Sequence, residues 1–383
     1  MTMFKLSSWR QALLLLLAVP LSSPALAVPK PGEIAASVPP AATVVATSPE
    51  FTWNGVTVSR KGRLFVSMQR DVLNSKTPSV GEILPDGRIR PYPGGHWNSY
   101  RPGNSGLDQF VGINSVVSDA NDQLWVVDPA GIGGQPMKGQ AKLVQIDLTS
   151  NKVVRIYRFD LAAVPEGGFI NDVRVADGFA YLPDSSLGAL IVVNLKTGAT
   201  RRVLAQDQRL RSDRSLKLTV NGTPYLNSKG QLPNGNMSVN PIELSNDGQY
   251  LYFQPSGGPV LMRLPTALLK DFTTSDATLS KAIEAMGKGP FNAGMTMGSD
   301  GSIYFSDIEL GGISRRRPDG TFEVVAKGPR SILVWPDASR LGPDGYLYFP
   351  SSQINRFAGN SPTGKSELVF PFHLFKVKVE APK

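Results

Sequence analysis

A single hairpin recurs six times along this chain, and no other feature of the sequence restricts its fold as much. The copies occupy residues 53–67, 113–128, 170–184, 239–253, 292–307 and 336–349. Each reads as a short apolar strand, a turn that usually carries Asp-Gly, and a second strand rich in aromatic and β-branched residues, which is the signature of a tight antiparallel hairpin. Asp177-Gly178, Asp247-Gly248, Asp300-Gly301 and Asp344-Gly345 are the clearest turns. A second hairpin follows most copies, at 81–90, 142–159, 189–204 and 313–325. Six four-stranded units in series predict an all-β, six-bladed β-propeller with four antiparallel strands per blade. A two-sheet sandwich needs no such repetition. Residues 373–379 offer an outer strand for the last blade and the segment before Trp53 offers another, so residues 48–383 read as one domain.

The remaining segments are read by composition. Residues 1–27 carry Lys5 and Arg10 ahead of the apolar stretch 12–19 and then Ala25-Leu26-Ala27, the order of a secretory signal peptide. The protein is therefore expected to be secreted or periplasmic. No later stretch offers the roughly 18 unbroken apolar residues of a membrane span. Residues 28–47, rich in Pro and Ala, read as a flexible lead-in. Leu279, Ala282, Ile283 and Met286 fall at helical spacing within 274–286, which predicts one short surface helix between blades four and five. Residues 205–237 are polar and rich in Gly, Asn and Pro, long enough for a lid or a surface excursion.

Composition then narrows the chemistry. The chain has no Cys, which excludes zinc fingers, disulfide scaffolds and cysteine enzymes. Its 40 Lys and Arg against 31 acids give a formal +9, but the charge is spread, and the one cluster, Arg315 to Arg317, sits beside a turn as a solvated hairpin does. Nucleic acid is not an expected partner. The two His, His96 in a loop and His373 in the last strand, leave little room for a His-based metal centre or a Ser-His-Asp triad. Gly131-Ile-Gly-Gly134 follows a strand without opening a helix and reads as a turn.

The positional signal is stronger. The first residue of each inner strand is Asn54, Asn114, Asn171, Asn240, Ala293 and Asp337, with Asn292 one place before the fifth. Inner strands of a propeller face its axial channel, so these side chains form a ring at one mouth, with Asp172 adjacent and Trp53 and Trp335 flanking. Amide and carboxylate oxygens suit hard cations, which makes Asn171, Asn240 and Asp337 candidate ligands for Ca²⁺ or Mg²⁺. The same residues also suit plain strand starts, because Asn side chains satisfy nearby backbone groups. The second strands finish at the same end, at Ser67, Asp128, Asp184, Asp307 and Ser351, adding acids to the rim. Three places into the inner strands stand Thr57, Val117, Arg174, Glu243, Thr296 and Arg340, and buried charges there must pair. Arg174 is the expected partner of Glu243.

Several strings are familiar: Leu124-Trp-Val-Val-Asp128, Phe169-Ile-Asn-Asp-Val173, Asp184-Ser-Ser-Leu-Gly-Ala-Leu-Ile-Val192, Leu264-Pro-Thr-Ala-Leu-Leu269 and Trp335-Pro-Asp337 followed by Leu347-Tyr-Phe-Pro-Ser-Ser-Gln-Ile354. Together, from about Phe51 to Val379, they resemble the major royal jelly protein and yellow family. The resemblance implies a secreted propeller that holds a small organic ligand, aromatic or amine-bearing, at the channel mouth, with dopachrome-tautomerase-like isomerase activity in some relatives. Insect members rely on Cys that this chain lacks, which suggests a bacterial relative. The fold is also similar to gluconolactonase and regucalcin propellers, in which Glu, two Asn and Asp hold a divalent metal. Here Asn54 stands in place of the Glu, so the match at Asn114 or Asn171, Asn240 and Asp337 is partial. It implies the alternative function, a metal-dependent lactonase or esterase.

Overall fold

The six hairpin pairs fold into six four-stranded antiparallel sheets in the computed structural model, which describes residues 41–69, 77–132, 135–233 and 237–381. The expected signal peptide lies outside the described residues. From the channel outward, blade 1 runs Gly55–Val58, Leu64–Ser67, Val80–Ile83 and Ile89–Pro91, and blade 2 runs Ser115–Ser118, Gln123–Asp128, Lys142–Asp147 and Lys152–Arg158. Blade 3 comprises Arg174–Ala176, Phe179–Asp184, Ala189–Asn194 and Thr200–Val203. Blade 4 comprises Val239–Leu244, Tyr250–Pro255, Val260–Pro265 and Glu284–Lys288, and blade 5 Asn292–Met297, Ile303–Asp307, Gly312–Arg316 and Phe322–Lys327.

Blade 6 closes the ring with strands from both ends of the propeller. Arg340–Leu341 and Tyr346–Pro350 are its inner strands, Phe372–Lys378 is third, and Thr43–Ser48 is outermost, with Thr47 opposite His373. The strand expected at 373–379 as the outer edge is thus covered by one drawn from the segment 28–47 that composition marks as lead-in. Thr43, Val44, Val45 and Thr47 are β-branched residues that fit a pleated surface. The helical segment also differs from its sequence expectation. Two short helices, Thr266–Lys270 and Asp276–Lys281, lie inside blade 4 ahead of its outer strand, and Ser275 caps the second by accepting the Thr278 N–H at 3.2 Å. Glu284 to Lys288 then pair with Val260–Pro265 as a strand.

An apolar wedge fills each gap between neighbouring blades, because alternate strand residues point to opposite faces. Trp125, Leu143 and Tyr157 of blade 2 meet Ala180, Leu182 and Ile191 of blade 3 in this way. Blade 6 meets blade 1 through Phe372 and Leu374 against Val56, Val66 and Trp53. The excursion at 205–237 carries a 3₁₀ turn, Gln208–Leu210, and a small hairpin of Thr219–Val220 with Thr223–Pro224. It does not hang free. Val220 and Tyr225 pack onto Phe291, Val334 and Trp335, and Thr219 Oγ1 donates to Glu309 at 2.6 Å, so the excursion reaches from blade 4 across the tops of blades 5 and 6.

Candidate functional site at the channel mouth

Four of the ring residues stand in the same register. The backbone N–H groups of Asn54, Asn114, Asn171 and Asp337 donate to Ser67, Val127, Pro183 and Pro350 carbonyls at 3.0–3.2 Å, near the end of each second strand. In blades 4 and 5 a register shift interrupts the pairing at this level, between Val239 and Ile242 and between Asn292 and Met295. Pro241, which has no N–H to give, and Gly294, where a Cβ would come within 2.9 Å of Ala338, sit at those shifts. Asn240 therefore lies off the common register.

The amides mostly join blades to one another. Asn54 Nδ2 donates to the Asn114 carbonyl at 3.2 Å, and Asn114 Nδ2 donates to the Asn171 carbonyl at 2.8 Å. Asn171 Nδ2 reaches Ser185 Oγ at 3.2 Å within its own blade. Of the residues expected in a ring, Asn54, Asn114 and Asn171 are joined in a chain of contacts, and two of these amides are spent on neighbouring backbone. The flanking tryptophans offer no open face. Trp53 is wholly buried between blades 6 and 1 with its Nε1 donating to the His373 carbonyl at 3.2 Å. Trp335 meets Tyr225 and Phe291 edge-on, with ring centroids 5.0 and 5.6 Å away. Both are structural anchors, in place of the stacking surfaces their position suggested.

Below the mouth an ion network crosses the channel. Arg174 Nε donates to Glu243 at 2.8 Å, the expected pair, and Arg174 Nη1 donates to Asp172 at 2.8 Å. Arg340 Nη2 comes from blade 6 to both oxygens of Asp172, at 2.8 and 2.9 Å, while Ser115 Oγ of blade 2 donates to the same carboxylate at 2.7 Å. Burial alone would raise the Asp172 carboxyl, but the two guanidinium charges, Ser115 and the Val173 N–H hold it well below the usual carboxylate range. Burial would likewise lower Arg174, and Asp172 with Glu243 keep it above its ordinary value. Asp172 is thus saturated by this chain's own donors.

The rim acids divide. Asp128 is fully buried, accepts the Val111, Gly112 and Ala130 N–H groups, and pairs with Lys142 Nζ at 2.7 Å. Asp184 accepts the Phe169, Ser186 and Leu187 N–H groups and pairs with Arg202 at 2.7 Å. These carboxylates knot loops to blades and do not line the rim. Asp307, also buried, accepts the Leu310 N–H at 3.0 Å, and among the described residues no basic group pairs with it. Burial pushes its carboxyl up to about 6.

Asp337 stands apart from all of them. It is 8% exposed, accepts the Ala338 N–H at 2.8 Å, and makes no ion pair among the described residues. Burial, with the nearby Asp172 charge adding to it, pushes its carboxyl up to about 8 against the pull of the Ala338 N–H, Trp335 and Arg340. Two residues before it, Trp335 holds φ at 56°, a left-handed conformation that bulky side chains avoid and that surrounding packing must impose. The sequence singled out Asp337 by position, but nothing in it distinguishes an unpaired acid from the paired Asp128 and Asp184. Among the described residues no group of three His, Cys, Asp or Glu could hold a metal ion. His96 is exposed in its loop, stacked on Trp97, and His373 packs against Phe375 in the closing blade.

A six-bladed propeller with a polar, acid-bearing channel mouth is the class that this geometry defines. A model of the major royal jelly protein family matches residues 111–374, more than half of the chain, and the chain belongs to that family. No curated protein matches it in sequence. Among solved structures it is similar to a streptogramin B lyase at 13% identity and a TM-score of 0.50, over 88% of this chain and 95% of that one. A luciferin-regenerating enzyme matches at 9% identity and a TM-score of 0.50, over 87% and 92% of the two chains. Regucalcin from Agrobacterium tumefaciens, a calcium-binding protein, matches at 14% identity and a TM-score of 0.48, over 88% and 97%. At such identities the likeness speaks for the propeller fold alone.

Proposed function

We propose that the channel mouth binds a small polar organic molecule bearing carbonyl, hydroxyl or amine groups, and that the chemistry it supports is proton transfer within that molecule, an isomerisation. The observation that carries this reading is Asp337, a buried carboxyl at the mouth that makes no ion pair among the described residues. Burying an unpaired ionisable group costs free energy that a purely structural residue has no reason to impose. Asn171, only half-buried, offers amide groups beside it for orientation. Aromatic character in the ligand finds no support in Trp53 or Trp335, whose faces are packed away.

Neither Ca²⁺ nor Mg²⁺ is part of the proposal. Of Asn171, Asn240 and Asp337, only Asp337 is acidic; it is largely protonated at neutral pH, and it already feels the charge of the Arg340 guanidinium. That donor set does not fit a divalent cation, so the metal-dependent lactonase reading falls behind. Export of the protein through residues 1–27 belongs to the same proposal and is tested by N-terminal sequencing of the exported product. The binding itself is tested by calorimetric titration of amines, catechols and hydroxycarbonyl compounds with and without chelator. Chelator should leave affinity unchanged, and the double variant Asn171→Ala, Asp337→Ala should abolish it. Affinity that disappears with chelator would return the site to the metal-dependent class.

A further inference from the structure

We propose that Asp337 and Arg340 form a catalytic pair, Asp337 moving a proton between two positions of a carbonyl-bearing ligand whose oxygen is held by the Nε–H of Arg340. The inference rests on the reading of the mouth as a small-molecule site and adds the groups that act in it. Arg340 lies three residues beyond Asp337 on the inner side of blade 6, and its other nitrogens are fully committed: Nη2 clamps both oxygens of Asp172, and Nη1 donates to the Ser339 carbonyl at 2.6 Å. The clamp fixes the guanidinium plane. Its Nε is left buried without a hydrogen-bond partner on a side chain that is 7% exposed. An unpaired buried donor is destabilising, more so when charged, and a ligand oxygen would satisfy it.

Asp337 is held with equal firmness. Its carbonyl accepts Ser306 Oγ of blade 5 at 2.9 Å and its N–H donates to Pro350, so the strand start cannot swing, while the carboxyl accepts the Ala338 N–H at 2.8 Å and makes no ion pair among the described residues. The charged groups that bear on it are Asp172 of blade 3 and Arg340 of its own strand, with Arg174 of blade 3 and Glu243 of blade 4 completing the network behind them and Asp307 next to Ser306 in blade 5. A carboxyl poised near 8 is matched to accept and return a proton close to neutral pH.

The step balances without any other reactant. The Asp337 carboxylate takes a proton from the carbon beside the ligand carbonyl; the C–H electron pair becomes a C=C bond, and the carbonyl π pair moves onto oxygen, where Arg340 Nε–H stabilises it. The carboxylic acid then gives the same proton to that oxygen or to the far carbon of a conjugated system. Asp337 is regenerated as the carboxylate.

The test uses pyruvate with the full chain, following exchange of its methyl hydrogens with D₂O by ¹H NMR and binding by calorimetry in parallel. The wild type should bind it and accelerate exchange, with kcat/KM rising as pH climbs through about 8, because the ionised carboxyl is the base. Asp337→Asn, which relieves an unpaired buried acid and should fold, should bind within a few-fold of wild type yet lose about 10²-fold or more in exchange. Arg340→Lys, checked for folding by its melting temperature, should lower kcat while the profile keeps its ascending limb. Binding without accelerated exchange, or Asp337→Asn exchanging like wild type, overturns the pair and leaves the binding reading standing. A wild type that neither binds nor exchanges the probe overturns both.

Discussion

Blades 2 and 3 end their second strands in Asp128 and Asp184, and blades 5 and 6 place Asp307 and Asp337 at the same end of the ring, yet the two sides treat their acids in opposite ways. Asp128 and Asp184 each receive three backbone N–H groups and a basic side chain, Lys142 or Arg202. Asp307 and Asp337 each receive one short backbone N–H bond and no basic side chain among the described residues. A fold that neutralises a buried carboxylate twice and leaves it bare twice separates two jobs. On the first side the acid holds loops to blades; on the second it remains available, and the excursion at 205–237 packs over this side through Tyr225 and Trp335.

Breaking a satisfied pair should give the largest effect. Lys142→Met leaves the wholly buried Asp128 without its cation, and a loss of about 3–5 kcal/mol is expected in urea unfolding. Glu243→Ala strips Arg174 of one partner in the channel network and belongs to the same range. An unchanged denaturation midpoint in either variant would erase the distinction between the two sides.

The bare side should respond with the opposite sign. Asp337 has a folded value of about 8 against 3.8 when free, so the stability linked to it is fully present below about pH 4 and is lost as pH rises through about 8. Asp337→Asn removes that loss: its unfolding free energy in urea should exceed wild type at pH 8–9 by an amount on the order of 2–5 kcal/mol, and converge with it near pH 4. Asp307→Asn should behave likewise with a smaller gain, on the order of 1–3 kcal/mol, developed by about pH 6. Asp172 runs the other way, its stability present above 3.8 and lost only as pH falls further, so the channel network should persist in mild acid.

The blades were legible in the sequence because each hairpin repeats a strand pattern around a turn that usually carries Asp-Gly, and the pairing of Glu243 with Arg174 followed from two opposite charges on inner strands. What escaped depended on partners that spacing does not reveal. Trp53 directly precedes Asn54, and alternation along a strand sends neighbours to opposite faces, so its burial was readable in principle. The use of Asn54 and Asn114 amides on the next blade's backbone was not, since it depends on how closely the blades approach. Glu284 to Lys288 carry helix-favouring residues, and pairing with Val260–Pro265 overrides that preference. A strand from the segment before Trp53 was expected for the last blade, and only its start inside the Pro- and Ala-rich stretch, at Thr43, went unread.

Whether the channel mouth holds an available acid rests on the Asp337 carboxyl, and its titration is the most direct test. In protein labelled with ¹³C at aspartate side chains, the resonance that Asp337→Asn removes should titrate with a midpoint near 8, well apart from the other acids. A midpoint near 4 would mean that Asp337 is solvated or paired like Asp128 and Asp184, and would contradict an available acid at the channel mouth.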